Sequence, residues 1–179
     1  ISIRGGETVI ADLTIEGSLA PGDRDTALLS VVGPCTLDAE NVTVVGRGPT
    51  AVVVDNVTTS RLDELTVVFS PQDSGSLVEL RQAELVGERW SLRTTGSSSD
   101  VIGVRIDHGT ASSSLRAVEV AGWMTRGIVV SRGLGLDGGG AADLNQVTVA
   151  GASLDASIGL ESLEQTTVSR VLITGFTTA

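Results

Sequence analysis

Apolar and polar residues alternate along most of this chain, and the alternation keeps breaking in the same way. An aliphatic residue is followed by two spacers, a large apolar residue, one spacer, another aliphatic residue, one spacer and often Gly. The pattern appears as Ile10-Leu13-Ile15-Gly17, Leu62-Leu65-Val67, Leu115-Val118-Val120-Gly122, Leu144-Val147-Val149-Gly151 and Val168-Val171-Ile173-Gly175. Val42-Val44-Gly46 and Trp90-Leu92 are looser copies. The second apolar positions are 13, 42, 65, 90, 118, 147 and 171, with separations of 29, 23, 25, 28, 29 and 24 residues. Alternation with a period of two buries one face of a strand and solvates the other. Its return at a near-constant interval marks a repeat architecture.

Each interval carries a second alternating strand: AVVVDN at 51–56, LVELRQ at 77–82, GVRIDH at 103–108, GIVVSR at 127–132 and SIGLES at 157–162. Its predicted inward centres are Val54, Leu80, Ile106, Val130 and Leu160. Two to three short strands per interval form one coil of a solenoid. Equivalent strands then stack in parallel at roughly 4.8 Å, so that like residues lie above one another. The predicted outward columns read Asp55, Arg81, Asp107, Ser131, Glu161 and Val53, Glu79, Arg105, Val129, Gly159. Opposite charges stacked at Asp55–Arg81–Asp107 and Glu79–Arg105 would contribute roughly 0.2–1 kcal/mol per pair and penalise a slipped register. A leucine-rich repeat would need a following Asn and a helical return path; here the return is another strand, and no stretch shows three turns of helical periodicity. The expected fold is all-β, a single-stranded parallel β-helix of about seven coils forming one domain over 1–179.

Coil length, the Leu-x-x-Val-x-Val-x-Gly pattern and the second strand together resemble the right-handed parallel β-helix of the pectin-lyase-like superfamily. The resemblance covers nearly the whole chain. It implies a fold shared by polysaccharide lyases and hydrolases, phage tailspikes and bacterial surface adhesins, so it speaks for architecture more than activity.

Within that superfamily, Ile106-Asp107-His108 is similar to the Ile-Asp-His run of pectate lyases, and His108 is the only histidine. Register argues against the match. The family's run sits in the strand after the corner, which is Leu115–Val120 in this coil, whereas 106–108 falls in the preceding strand, level with Val54-Asp55-Asn56 and Leu80-Arg81-Gln82. Arg105 also stands where the family has Trp. Asp107 reads as a rung of the charge ladder, and His108 as a strand-end residue with no second His or Cys at metal-ligand spacing.

One outward cluster is a candidate site. Glu64, Arg89, Arg93 and Glu119 project from the first strand type of three successive coils. Two carboxylates with two guanidinium groups can bind a sugar acid or pair a general acid with a base; the same set also reads as a surface ion-pair network. Hydrolases of the family carry Asp pairs here, and no outward Asp pair is present. The outward column Thr14, Thr43, Thr66, Ser91, Glu119, Thr148, Leu172 lacks the paired Thr-x-Thr ranks of an ice-binding face and reads as β-branched surface filler. Trp90 falls inward. Trp123, beside a corner and near Arg126, is a candidate for stacking on a sugar ring or packing on another chain, with packing inside the corner as the alternative. The stretch 134–144, with Asp137 and Asp143, lacks the acidic spacing of a calcium loop and reads as a corner insertion. Asn41-Val42-Thr43 and Asn56-Val57-Thr58 match glycosylation sequons, a pattern frequent by chance.

Composition narrows the function classes. Aromatics are only 2%, with no Tyr, and 22 residues are Gly, so the core must be aliphatic and the strands frequently turned. A net charge of −10 and a pI near 4.4 argue against a nucleic-acid partner and disfavour docking on anionic membranes. No transmembrane stretch, secretory leader or initiator Met is visible, which suggests a mature product or a segment of something longer. Cys35 has no partner for a disulfide, and no motif calls for a metal or cofactor. The terminal coils would expose open edges, covered by further chain, a trimeric neighbour or irregular caps. The expected function is a non-catalytic binding or structural module, on an extracellular or cell surface or a phage-like appendage, recognising a glycan or another protein. The alternative is a polysaccharide-degrading enzyme working through Glu64, Arg89, Arg93 and Glu119.

Overall fold

The computed structural model describes residues 1–20, 27–96, 100–109, 111–132, 140–152 and 158–177. Its strands are β1 (Ser2–Ser18), β2 (Ala27–Val57), β3 (Ser60–Arg81), β4 (Leu85–Glu88), β5 (Ser91–Thr94), β6 (Asp100–His108), β7 (Ser113–Gly122), β8 (Arg126–Arg132), β9 (Ala142–Gly151), β10 (Ile158–Ser162), β11 (Thr166–Ser169) and β12 (Leu172–Thr174). Every pairing between them is parallel. The chain is a parallel β-solenoid of about six turns, one fewer than expected. The seven repeated apolar positions each mark a corner, and seven corners enclose six complete turns.

That corner sits inside the repeat pattern. The second of the two spacers is Asp12, Asn41, Glu64, Arg89, Ala117, Gln146 or Arg170, and each has a left-handed backbone with φ between 51° and 56°. A left-handed residue bends the strand sharply, so the first aliphatic position of the pattern belongs to one stack of strands and the next two to another. We call these stack A (61–63, 85–88, 113–116, 142–145) and stack B (65–69, 91–94, 118–122, 147–151). The second alternating strand forms stack C (52–55, 78–81, 104–107, 128–131, 158–162). Asn suits a left-handed position because its short polar side chain can bond locally, and Asn41 Nδ2 donates to Asp12 Oδ1 of the adjacent turn at 2.6 Å.

Inside, aliphatic columns run the length of the stack. Leu13, Val42 and Leu65 lie level, as do Val118 and Val147. In stack C, Val54, Leu80, Ile106 and Val130 lie level and are fully buried. Leu160 departs from expectation: it stacks on Ile128 rather than Val130, which faces Ser162. This register sets Gly159 over Gly127, where the missing side chain leaves room for a backbone carbonyl; a Cβ on Gly127 would lie 2.4 Å from Gly159 O.

Trp90 is the largest side chain in a mostly aliphatic interior, and the fold makes room for it locally. Stack A would carry a large aliphatic residue between Leu62 and Leu115, but Gly87 stands there. The indole fills that space, with Cζ2 at 2.3 Å from where a Cβ on Gly87 would lie. Its Nε1 donates to the Leu62 carbonyl at 2.8 Å, so the buried indole N–H is not stranded.

Candidate functional site

The structure separates the four residues nominated on stack B and its corner. Glu64 and Arg89 occupy consecutive left-handed corners and pair, with Arg89 Nε donating to Glu64 Oε1 at 3.1 Å. Their common anchor is Asp63, whose side chain is only 2% exposed. Asp63 accepts from Arg89 Nη2 at 2.5 Å, from Arg61 Nη2 at 2.8 Å and from the Glu64 backbone N–H at 3.0 Å. Glu64 and Arg89 therefore belong to a structural clasp around a buried carboxylate. Glu119 lies in the column Thr66–Ser91–Glu119, and Arg93 in the neighbouring column Val68–Arg93–Ala121. Neither forms an ion pair among the described residues. Glu64 shares its corner position with Arg89 and Ala117, whereas Glu119 lies two residues further along stack B, so the two carboxylates belong to different columns. Trp123 is 45% exposed just past β7. Asp143 lies within β9 rather than in a corner, and Asp137 lies outside the described residues.

A different face gathers charge. Outside stack C, two adjoining depressions of about 230 and 600 Å³ share Arg81 and Arg105 in their walls. The smaller also takes in Thr50, Ser76, Glu79 and Asp100; the larger takes in Asp55, Asp107, Arg126, Ser131 and Glu161. Together they form a trench crossing the rungs Asp55, Arg81, Asp107 and Ser131, which stack in the expected order. Three rung steps make it roughly 14 Å long. Glu161 does not continue that column. With β10 in its observed register it lies beside Val129, closer to Arg126, whose Nη1 is 3.8 Å from Glu161 Oε2.

The ion pairing within the trench also departs from the expected ladder. Arg81 does not bridge to Asp55 or Asp107; it pairs with Glu79 on its own strand, Nη2 to Oε2 at 2.5 Å and Nε to Oε2 at 3.1 Å. Desolvation decides this. Glu79 is 6% exposed, so its charge most needs a partner, while Asp55 and Asp107 keep more contact with water. Burial opposes the charge on Arg81, but Glu79, with Asp55 and Asp107 further off, holds its pKa above the ordinary value. Thr50 Oγ1 donates to Glu79 Oε1 at 3.3 Å, and Ser131 Oγ donates to Asp107 Oδ1. Arg126 Nη2 donates to Asp100 Oδ1 at 3.0 Å. Arg105 forms no hydrogen bond or ion pair among the described residues.

Glu79→Ala is expected to destabilise the protein by about 2 kcal/mol, because it removes charge-assisted bonds from a half-buried guanidinium and orphans the Thr50 hydroxyl. Glu79→Gln, which keeps the shape, should cost less. Thermal melts of both variants measure this, and an unchanged transition in Glu79→Ala would show the pair to be idle.

A further depression of about 500 Å³ lies outside stack A, lined by small residues such as Ser114, Ala141 and Thr167 around the exposed Val86, with Arg61, Glu84 and Asp143 also in its wall. No ion pair joins these three to one another among the described residues.

Asp55, Glu79, Arg81, Arg105 and Asp107 are legible as columns in the sequence; the joining of Asp100, Arg126 and Glu161 to them is not, because it depends on the register of β10 and on which pairs close. No protein-family model, curated protein or solved structure matches this chain.

Proposed function

We propose that this chain is a non-catalytic glycan-binding module, displayed on an extracellular surface protein or a phage-like appendage, with the trench on stack C as its ligand seat. The observation that supports this reading is the convergence of three guanidinium groups and five carboxylates on one regularly spaced face. Planar guanidinium groups donate paired hydrogen bonds to acidic substituents, and carboxylates accept hydrogen bonds from sugar hydroxyls. Strands held by neighbouring rungs keep those groups in place, so little ordering cost falls on binding. The likeness of the repeat to the pectin-lyase-like superfamily, with its glycan-handling members, points the same way.

The experiment is a glycan array followed by titration of the best ligand. Filling the trench with Ser131→Trp should weaken binding at least tenfold while the melting transition stays in place. Glu64→Gln and Glu119→Gln should bind as the parent does. If the parent instead releases reducing or unsaturated sugar ends, and either Glu variant stops it, the enzymatic reading replaces this one.

A further inference from the structure

The trench holds charges of both signs, and their pairing is incomplete in a specific way. Two of its guanidinium groups are committed: Arg81 to Glu79, and Arg126 to Asp100 and Glu161. Arg105 is not, among the described residues. Among the described residues, Asp107 accepts only the Ser131 hydroxyl and Asp55 has no hydrogen bond or ion pair, although both act on the Arg81 charge from further off.

The contrast between neighbouring rungs sharpens this. Glu79 and Arg81 are two residues apart on β3, side by side on one face, and they close on each other at 2.5 Å. Arg105 and Asp107 have the same spacing on β6, level with Glu79 and Arg81. They carry the reversed order of charges, and among the described residues they form no ion pair with each other. Both line the 600 Å³ depression, as does Asp55. One cationic seat thus faces the same space as two anionic seats. Arg105 and Asp107 are about 7 Å apart along the strand, and Asp55 lies two rungs, about 10 Å, from Asp107.

A uniform polyanion fits this poorly. Its first acidic group could reach Arg105, but the next would meet Asp107 or Asp55, and the molecule as a whole carries −10. A uniform polycation meets the reverse conflict at Arg105. We infer that the trench recognises an amphoteric glycan, one carrying both carboxylate and free amino groups, with the carboxylate on Arg105 and an ammonium on Asp107 or Asp55. This rests on the glycan-binding reading above and specifies its ligand class.

The test is calorimetric titration of the protein with four soluble polymers: carboxymethyl chitosan (carboxylates and free amines), polygalacturonate (carboxylates only), chitosan oligosaccharide (amines only) and dextran (neither). Carboxymethyl chitosan should bind at least tenfold more tightly than each of the others. Arg105→Ala and Asp107→Asn should each weaken that binding at least tenfold. Arg105 makes no hydrogen bond or ion pair among the described residues, so the melting transition of Arg105→Ala should be unchanged, separating lost binding from lost structure. If polygalacturonate, chitosan oligosaccharide or dextran binds as tightly as the amphoteric polymer, or Arg105→Ala leaves binding intact, the ligand class is wrong while glycan binding stands. If no carbohydrate binds here or on the array, the glycan-binding reading itself falls.

Discussion

Trp90→Leu and Gly87→Leu are each expected to destabilise the solenoid strongly, and the double variant to recover much of the loss. Trp90→Leu empties the space beside Gly87 and removes the indole donor to the Leu62 carbonyl. Loss of a buried Trp side chain costs roughly 3–5 kcal/mol when cut to Ala, and Leu keeps only part of that volume. Gly87→Leu alone drives a side chain into the indole, whose Cζ2 is 2.3 Å from the new Cβ position; overpacking costs roughly 1–3 kcal/mol or more. Combined, the two substitutions restore an aliphatic column on each stack. One introduced leucine bridges Leu62 and Leu115 in stack A, and the other sits between Leu65 and Val118 in stack B. The coupling should therefore be favourable by about 2 kcal/mol, within the range for residues in contact. The loss that remains includes the indole bond to the Leu62 carbonyl, worth about 1 kcal/mol. Denaturant melts of the three variants measure the cycle. Strictly additive losses would show that Gly87 and Trp90 are not one packing unit.

Gly127→Ala should be nearly as damaging, although it adds a single methyl group to a strand with ordinary backbone angles. The new Cβ would lie 2.3 Å from Val149 Cγ1 and 2.4 Å from the Gly159 carbonyl oxygen. A side chain can move aside, but the carbonyl belongs to β10, which pairs with β8. The expected cost is about 2–3 kcal/mol. At roughly 2–4 °C per kcal/mol for a chain of this size, the melting temperature should fall by several degrees. Val149→Ala should relieve part of the clash but not the contact with the carbonyl. Gly17→Ala is the control: its Cβ would meet only Leu28 Cδ2, at 3.4 Å, so its transition should move by less than about 0.5 kcal/mol. Equal effects at Gly17 and Gly127 would mean that the stacking of coils does not depend on the open space at Gly127.

The repeat is legible in the sequence in period and phase, yet its corner is hidden. Leu13 through Val171 recur because each follows the bend, but Asp12, Asn41, Glu64, Arg89, Ala117, Gln146 and Arg170 share no side-chain chemistry. A left-handed backbone is a demand on φ, and without a column of Gly or Asn it leaves no compositional mark. For the same reason Glu64 and Arg89 resemble outward strand residues in the linear pattern, when they are corner residues folded over Asp63. Asp63 itself is a spacer in the repeat, and nothing in the linear pattern marks it as buried. The register of β10 also resists reading, since counting back from Leu160 crosses a segment of variable length, and a two-residue slip keeps every apolar side chain facing inward.

Three properties of this chain follow from residue order alone: that it is a parallel β-solenoid, which residues form its main inward columns, and how the rungs of stack C fall between Val54 and Val130. All three follow from burial, and burial acts on each strand locally with a period of two. Which charges close and which stay open is set instead by the packing of coils against one another. Arg81 turns to Glu79 because Glu79 is the desolvated acid, and Arg105 is left facing the trench. That choice depends on differences of a few ångströms and on the water each carboxylate keeps, neither of which a linear pattern carries.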